Sequence, residues 1–277
     1  MRLAISNIAW DIDEDEEMVS LLKKFSVDAI DIAPSKYFPT PAKASQADIQ
    51  AVRGWWDQRG IEITGMQSLL FGTVGLNVFG PEDVQDALLE HLAAVCRIAS
   101  GLGATRLVFG SPKNRDRTGL TDEQALTKAV AFFRRLGDIA EEHGTIICLE
   151  PNPTCYGANF MTTSEETARV VRSVAHSGIR MQLDTGALTI NGESATTILR
   201  ECYGLIGHVH ISEPNLVPIG DMDTDHNRLH EALARYVPGH VASIEMVATK
   251  DEPHLVAIER ALMQASKSYR PVAGKSV

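Results

Sequence analysis

Eight short apolar runs, each separated from the next by a stretch with helical periodicity, constrain the fold of this chain more than any other feature. In order they read LAISNI, VDAIDIA, IEITGM, TRLVFG, TIICLEP, IRMQLD, IGHVHI and VASIEMV. Runs of this length, rich in branched residues, form strands. Between them, DEEMVSLLKKF, QDALLEHLAAVCRIASGLG, DEQALTKAVAFFRRLGDIAEEHG and SEETARVVRSVAHSG repeat apolar residues at three- and four-residue intervals. Each of these helices is expected to close near a glycine suited to a left-handed cap. Thr121 with Gln124, and Thr163 with Glu166, have the spacing of a capping box, in which a hydroxyl and a side chain three residues on satisfy each other's backbone donors.

Regular alternation of strand and helix produces a parallel sheet covered by helices, and eight such units in 277 residues suit a closed barrel. No Pro- or Ser-rich linker and no block of like charge divides the chain. No G-x-G-x-x-G follows the first strand, which removes the main support for an open dinucleotide-binding sheet. The expected fold is therefore α/β: a (β/α)8 TIM barrel in a single domain over residues 1–270, followed by a C-terminal tail at 271–277.

A formal net charge of -10, with both signs mixed along the chain, argues against nucleic acid or a membrane surface as partner and leaves a small molecule. Cys96, Cys148, Cys155 and Cys202 form no C-x-x-C pair, so free thiols in a reducing compartment are expected. The first residues, MRLAISNIAW, lack a cleavage-site pattern, and no window reaches the ~18 apolar residues of a membrane span. A cytoplasmic location is expected, and the helical stretch at residues 85–100 hints at a homo-oligomer.

Barrels of this kind carry their chemistry at the C-terminal ends of the strands. Four successive late strands end in CLEPNP, QLDTG, HVHISE and SIEMV, which places Glu150, Asp184, His210 and Glu245 around the mouth. Three carboxylates converging there repel one another and lose solvation unless a cation or protons compensate. The mixed oxygen and nitrogen set suits Mn²⁺, Mg²⁺, Co²⁺ or Zn²⁺ rather than a soft thiolate metal. His208 shares the inward face with His210, one step deeper, and Cys148, Gln182 and Ser243 lie beneath the other three, where they can hydrogen-bond ligands from behind.

In its order and spacing, the Glu, Asp, H-x-H and Glu series resembles the sugar phosphate isomerase/epimerase superfamily, with its xylose isomerase-like barrel and the ketose 3-epimerases among its members. The resemblance spans nearly the whole chain. It implies one divalent metal ion, Mn²⁺ before the others, on Glu150, Asp184, His210 and Glu245, with Glu150 and Glu245 as catalytic acid and base. The implied activity is that of a metal-dependent sugar isomerase or epimerase acting on a ketose, sugar phosphate or sugar acid. A proton α to a carbonyl is removed from one face and returned to the other face or to the neighbouring carbon, through a metal-stabilised enediolate.

The chain departs from the ketose epimerases at three substrate contacts. Ala187 stands where a histidine follows the strand-six aspartate, Tyr156 where a second glutamate follows Glu150, and PNLVP where an arginine follows the H-x-H segment. Other groups are candidates for substrate contact. Lys36 after strand two and Lys113 with Arg115 after strand four form a cationic set suited to a phosphate or carboxylate. His208, Glu213 and His226 belong to strand seven and the long loop beyond it, a length that suggests a lid, with Asp225 placed to cap the next helix. Asn7 and Trp10, just past the first strand, offer an amide and an apolar wall. Trp55 and Trp56 lie in a helical pattern and read as core or interface.

Three alternatives stay open. A lyase or dehydratase uses the same ligands and expels a leaving group instead of reprotonating. An endonuclease IV-like phosphodiesterase shares the barrel but needs more metal ligands and a basic patch for a duplex. A catalytically inactive binding barrel is the third, and the intact quartet speaks against it.

Overall fold

The computed structural model describes residues 1–271, and within them eight parallel strands close into a barrel in sequence order. They are β1 (Leu3–Ser6), β2 (Ala29–Ile32), β3 (Glu62–Met66), β4 (Arg106–Phe109), β5 (Ile146–Leu149), β6 (Ile179–Asp184), β7 (Ile206–Ser212) and β8 (Ala242–Glu245). Closure comes from β1 against β8, with Leu3 opposite Ala242 and Ile5 opposite Ile244. The expected TIM barrel is thus present as one domain; of the expected tail at 271–277, residues 272–277 lie outside the described residues.

The helices are α1 (Asp15–Lys24), α2 (Pro34–Tyr37), α3 (Gln46–Asp57), α4 (Glu82–Leu102), α5 (Asp122–Glu142), α6 (Ser164–Val174), α7 (Thr185–Asn191), α8 (Ala195–Cys202), α9 (His226–Tyr236) and α10 (His254–Tyr269). Strand side chains alternate between the barrel interior and the layer beneath these helices. In β7, Val209 and Ile211 join the apolar layer, along with Leu92, Phe132 and Leu262 from the helices, and this leaves His208, His210 and Ser212 for the interior. The core therefore fixes which face of β7 carries chemistry: a shift of one residue would bury two imidazoles under α-helices. Trp56 belongs to this core at 1% exposure, edge-on to Trp55.

Helix ends follow the expected chemistry only in part. Gly103 and Gly144 take left-handed backbone after α4 and α5, as expected. After α1 and α6 that conformation falls to Ser26 (φ 53) and Ala175 (φ 50), so glycine does not close those two helices. The Thr121–Gln124 capping box is complete. The Thr163 hydroxyl accepts from the Glu166 amide, but the Glu166 carboxylate turns back to the Thr162 N–H and hydroxyl, so the second box is only half formed. Asp225 caps α9 by accepting from the Arg228 N–H. Among the described residues no helix is long and apolar enough to cross a membrane.

Candidate metal centre at the barrel mouth

Glu150 immediately follows β5, Asp184 and Glu245 end β6 and β8, and His210 lies near the end of β7. The ladders put Asp184 opposite His210, and Ser212 opposite Glu245. One ligating atom from each of Glu150, Asp184, His210 and Glu245 lies within 4.8 Å of every other. His210 Nδ1 is 3.1 Å from Glu245 Oε2 and 3.8 Å from Glu150 Oε1. None of the four is more than 8% exposed.

Gathering these groups away from water has an electrostatic consequence. Burial, aided by the charges of Glu245 and Asp184, pushes the Glu150 carboxyl up to about 8. Burial, again with Glu245, raises Asp184 to about 7. Burial takes Glu245 to about 7 despite hydrogen bonding to Asp184 and Gln67. Neither ring nitrogen of His210 makes a hydrogen bond, although both are buried. Three hard oxygen donors and one free imidazole nitrogen fit a divalent cation, whose charge would offset the cost of burying the three carboxylates in ionised form.

The carboxylates are held from behind. Ser212 Oγ donates to Asp184, 3.0 Å from Oδ2, and Asp184 Oδ1 accepts from the Ala187 N–H at 2.6 Å, which caps α7. Asn152 Nδ2 donates to Glu150 Oε2 at 3.1 Å, and Gln67 Nε2 to Glu245 Oε1 at 2.8 Å. A Cβ at residue 110 would sit 1.7 Å from Glu150 Oε2, so glycine is what makes room for that carboxylate. None of Gln67, Asn152, Ser212 and Gly110 was singled out in the sequence. Ser212 alone had a signal, being the next inward residue after His210.

Cys148, Gln182 and Ser243, expected below the quartet, are fully buried, but Ser243 Oγ has no hydrogen-bond partner with which to back a ligand. Gln182 is fully buried and makes no side-chain hydrogen bond. His208 stands edge-on to His210 with ring centroids 5.0 Å apart, but its Nε2 lies 2.7 Å from Oδ2 of Asp31, a β2 residue that no sequence motif marks. Burial alone would raise the Asp31 carboxyl, but the adjacent His208, with His210 and Ser243, brings it down to about 2.

Most residues expected to meet substrate are engaged with protein instead. Trp10 is fully buried, its indole N–H donating to Asp15 Oδ1 at 2.8 Å, so it packs in the core rather than walling the mouth. Asn7 is buried and accepts from the Ala33 N–H at 2.7 Å. Lys36 is half-buried with its ammonium on the Trp10 carbonyl, and burial lowers its pKa. Arg115 is fully buried, donating to the Glu150 carbonyl and to Asn152 Oδ1, so it supports the loop beneath Glu150. Of the three cations expected to form a clamp, only Lys113 is an exposed side chain.

Glu213 and His226 face each other rather than the mouth. His226 Nε2 is 3.1 Å from Glu213 Oε1, and its Nδ1 is 2.7 Å from the Tyr269 hydroxyl. Glu213 also accepts from the Gly220 N–H and the Thr224 hydroxyl, so the loop after β7 is folded on an internal carboxylate. Over the mouth, the Asn215 N–H donates to the Tyr156 hydroxyl at 2.7 Å and ties the loops after β5 and β7 together.

Fold and site together define a (β/α)8 barrel with a buried carboxylate–imidazole centre at the C-terminal mouth. Residues 19–266 match the family described as xylose isomerase-like TIM barrel, and the chain belongs to it. No curated protein matches the sequence. Among solved structures, D-psicose 3-epimerase from Clostridium cellulolyticum H10, crystallised with D-tagatose, superposes with a TM-score of 0.80 at 20% identity, covering 97% of this chain and 99% of its own. The 3-keto-D-glucoside 4-epimerase YcjR from E. coli gives 0.76 at 16% identity, with 95% and 99% covered. IOLI protein with a bound zinc atom gives 0.77 at 18%, with 99% and 100% covered. At these identities the likeness is one of fold.

Proposed function

We propose that the protein is a divalent-metal-dependent sugar isomerase or epimerase, with Glu150, Asp184, His210 and Glu245 holding the ion. The observation that carries this reading is the convergence of three buried carboxylates and an imidazole with both nitrogens unpartnered, all within 4.8 Å. Hard donors of this kind take Mn²⁺, Mg²⁺, Co²⁺ or Zn²⁺, and we assign Mn²⁺. When bound, the ion supplies positive charge to the carbonyl and hydroxyl oxygens of a sugar and so acidifies the adjacent carbon.

Glu150 and Glu245 move the proton. Each is a buried carboxyl at the mouth, held by one amide donor inside the cluster that would bind the sugar, a placement suited to accepting and returning a proton. Gln67 and Asn152 fix the direction of each carboxylate, and Asp184 stays bound to Ser212 and the start of α7 as a ligand only. Lys36 and Arg115 are occupied by protein groups, which favours an uncharged ketose over a sugar phosphate, with Lys113 the exposed cation of the set. The family membership and the epimerase neighbours support the same class.

The test is to strip the protein with chelator, reload it with each divalent ion and incubate it with a panel of ketoses in deuterated water. Ion-dependent deuterium at one carbon of an intact sugar is expected. Loss of water or of a glycosidic partner would make the protein a lyase, and absence of any exchange would make it a binding barrel.

A further inference from the structure

The H-x-H pattern sets two imidazoles on one face of β7, yet the proposed centre uses only His210. The other is explained by a carboxylate that the proposed reaction leaves idle. Asp31, fully buried on β2, accepts at Oδ2 from His208 Nε2 at 2.7 Å and at Oδ1 from the Thr64 hydroxyl at 3.0 Å. The same Oδ2 lies 3.8 Å from His210 Nε2. Space for this carboxylate exists because residue 65 is glycine; a Cβ there would sit 2.5 Å from Asp31 Oδ1. The His210 ring therefore stands between acidic groups on both sides, with Nδ1 toward Glu245 and Glu150 and Nε2 toward Asp31.

We propose that Asp31, anchored by His208 and Thr64, is a positioning residue for the centre: its charge keeps the hydrogen of His210 on Nε2 and leaves Nδ1 bare for a divalent cation. The inference rests on the quartet holding an ion, as proposed above. A neutral imidazole carries one N–H, and an anion beside one nitrogen draws the hydrogen to that side while a cation requires the lone pair on the other. At 3.8 Å the interaction is a charge–dipole one rather than a hydrogen bond, and it gains strength from the low polarity of the barrel interior. His208 makes the arrangement tolerable, because a carboxylate buried on β2 without a partner would be strongly destabilising. One imidazole thus binds the ion, and the other holds the carboxylate that orients the first.

The test uses zinc on the full chain. Magnetic resonance of the zinc-loaded protein with isotope-labelled histidine is expected to show zinc on His210 Nδ1 and a slowly exchanging proton on Nε2. Calorimetric titration of metal-free protein, at a temperature where circular dichroism shows both forms folded, is expected to show zinc affinity about 10- to 100-fold lower in Asp31→Asn than in wild type. Coordination through Nε2, or Asp31→Asn affinity within about twofold of wild type, overturns the proposal. Should Asp31→Asn not fold, coordination through Nε2 in the wild-type resonance experiment still overturns the proposal. Wild-type protein that takes up no zinc refutes the ion-binding quartet and this inference with it, whereas uptake that ignores Asp31 refutes only the inference.

Discussion

Gln67, one residue past β3, donates its side-chain N–H to Glu245 Oε1 at the end of β8, across 2.8 Å and 178 residues of sequence. The bond fixes one oxygen of Glu245, and the other, Oε2, lies 3.1 Å from His210 Nδ1. Gln67 is 3% exposed and its own Oε1 has no partner, so the amide commits its donor to the carboxylate and leaves an acceptor beside the site.

Replacing Gln67 with Leu keeps the volume and removes the donor. A hydrogen bond to a charged group contributes ~1.5–3 kcal/mol, so ion-dependent deuterium exchange into substrate should slow about 10- to 100-fold. The far-ultraviolet dichroism should not change. Exchange at the wild-type rate would show that Glu245 needs no such restraint.

Glu245→Gln retains shape and hydrogen-bonding capacity but cannot carry a proton. Turnover is expected to drop by ~10²-fold or more, as removal of an acid or base commonly does. The variant should fold, since loss of one of three crowded carboxyls relieves repulsion in the metal-free protein. Full activity would remove Glu245 from the proton-transfer role.

The raised carboxyls give the metal-free protein a definite pH profile. A carboxyl whose folded pKa is above its unfolded value, ordinarily about 4, contributes stability that is complete below the unfolded value and lost as pH climbs through the folded one. For Asp184 and Glu245, each raised to about 7, and Glu150, raised to about 8, this loss falls between mildly acid and mildly alkaline pH. Asp31, lowered to about 2, acts oppositely and withdraws its contribution only in strong acid. Melting curves in chelator should therefore shift down from about pH 5 to about pH 9, and added Mn²⁺ should abolish the decline by binding the ionised forms. A chelated protein equally stable across this range would contradict the clustering.

Gly110→Ala inserts a methyl where the Glu150 carboxylate lies, 1.7 Å from Oε2. Overpacking of this kind costs about 1–3 kcal/mol, and here the carboxylate must move to relieve it. The expected result is a lower melting temperature together with weaker ion uptake by elemental analysis. A Gly110→Ala variant that still bound one ion per chain with wild-type affinity would show that Glu150 is not a ligand.

The barrel was legible in the chain because its determinants are local. Eight apolar runs, helical periodicity between them and caps such as Thr121 and Asp225 each depend on residues a few positions apart. The convergence of Glu150, Asp184, His210 and Glu245 was also readable, since strand alternation and the rule that barrel chemistry sits at strand ends assign them a common place. What hydrogen-bonds to what was not. Gln67 on Glu245, Asp31 on His208 and Arg115 on the Glu150 carbonyl join residues 178, 177 and 35 positions apart, and no spacing rule reaches across a closed barrel. Trp10, Lys36, Glu213 and His226 looked free for a substrate because a sequence shows where a polar group sits but not whether a neighbour has already taken it. Local pattern therefore determined the architecture and the four residues gathered at the mouth. Only closure of the barrel decided the partners, because burial presses most donors and acceptors to find one among groups that the chain order keeps far apart.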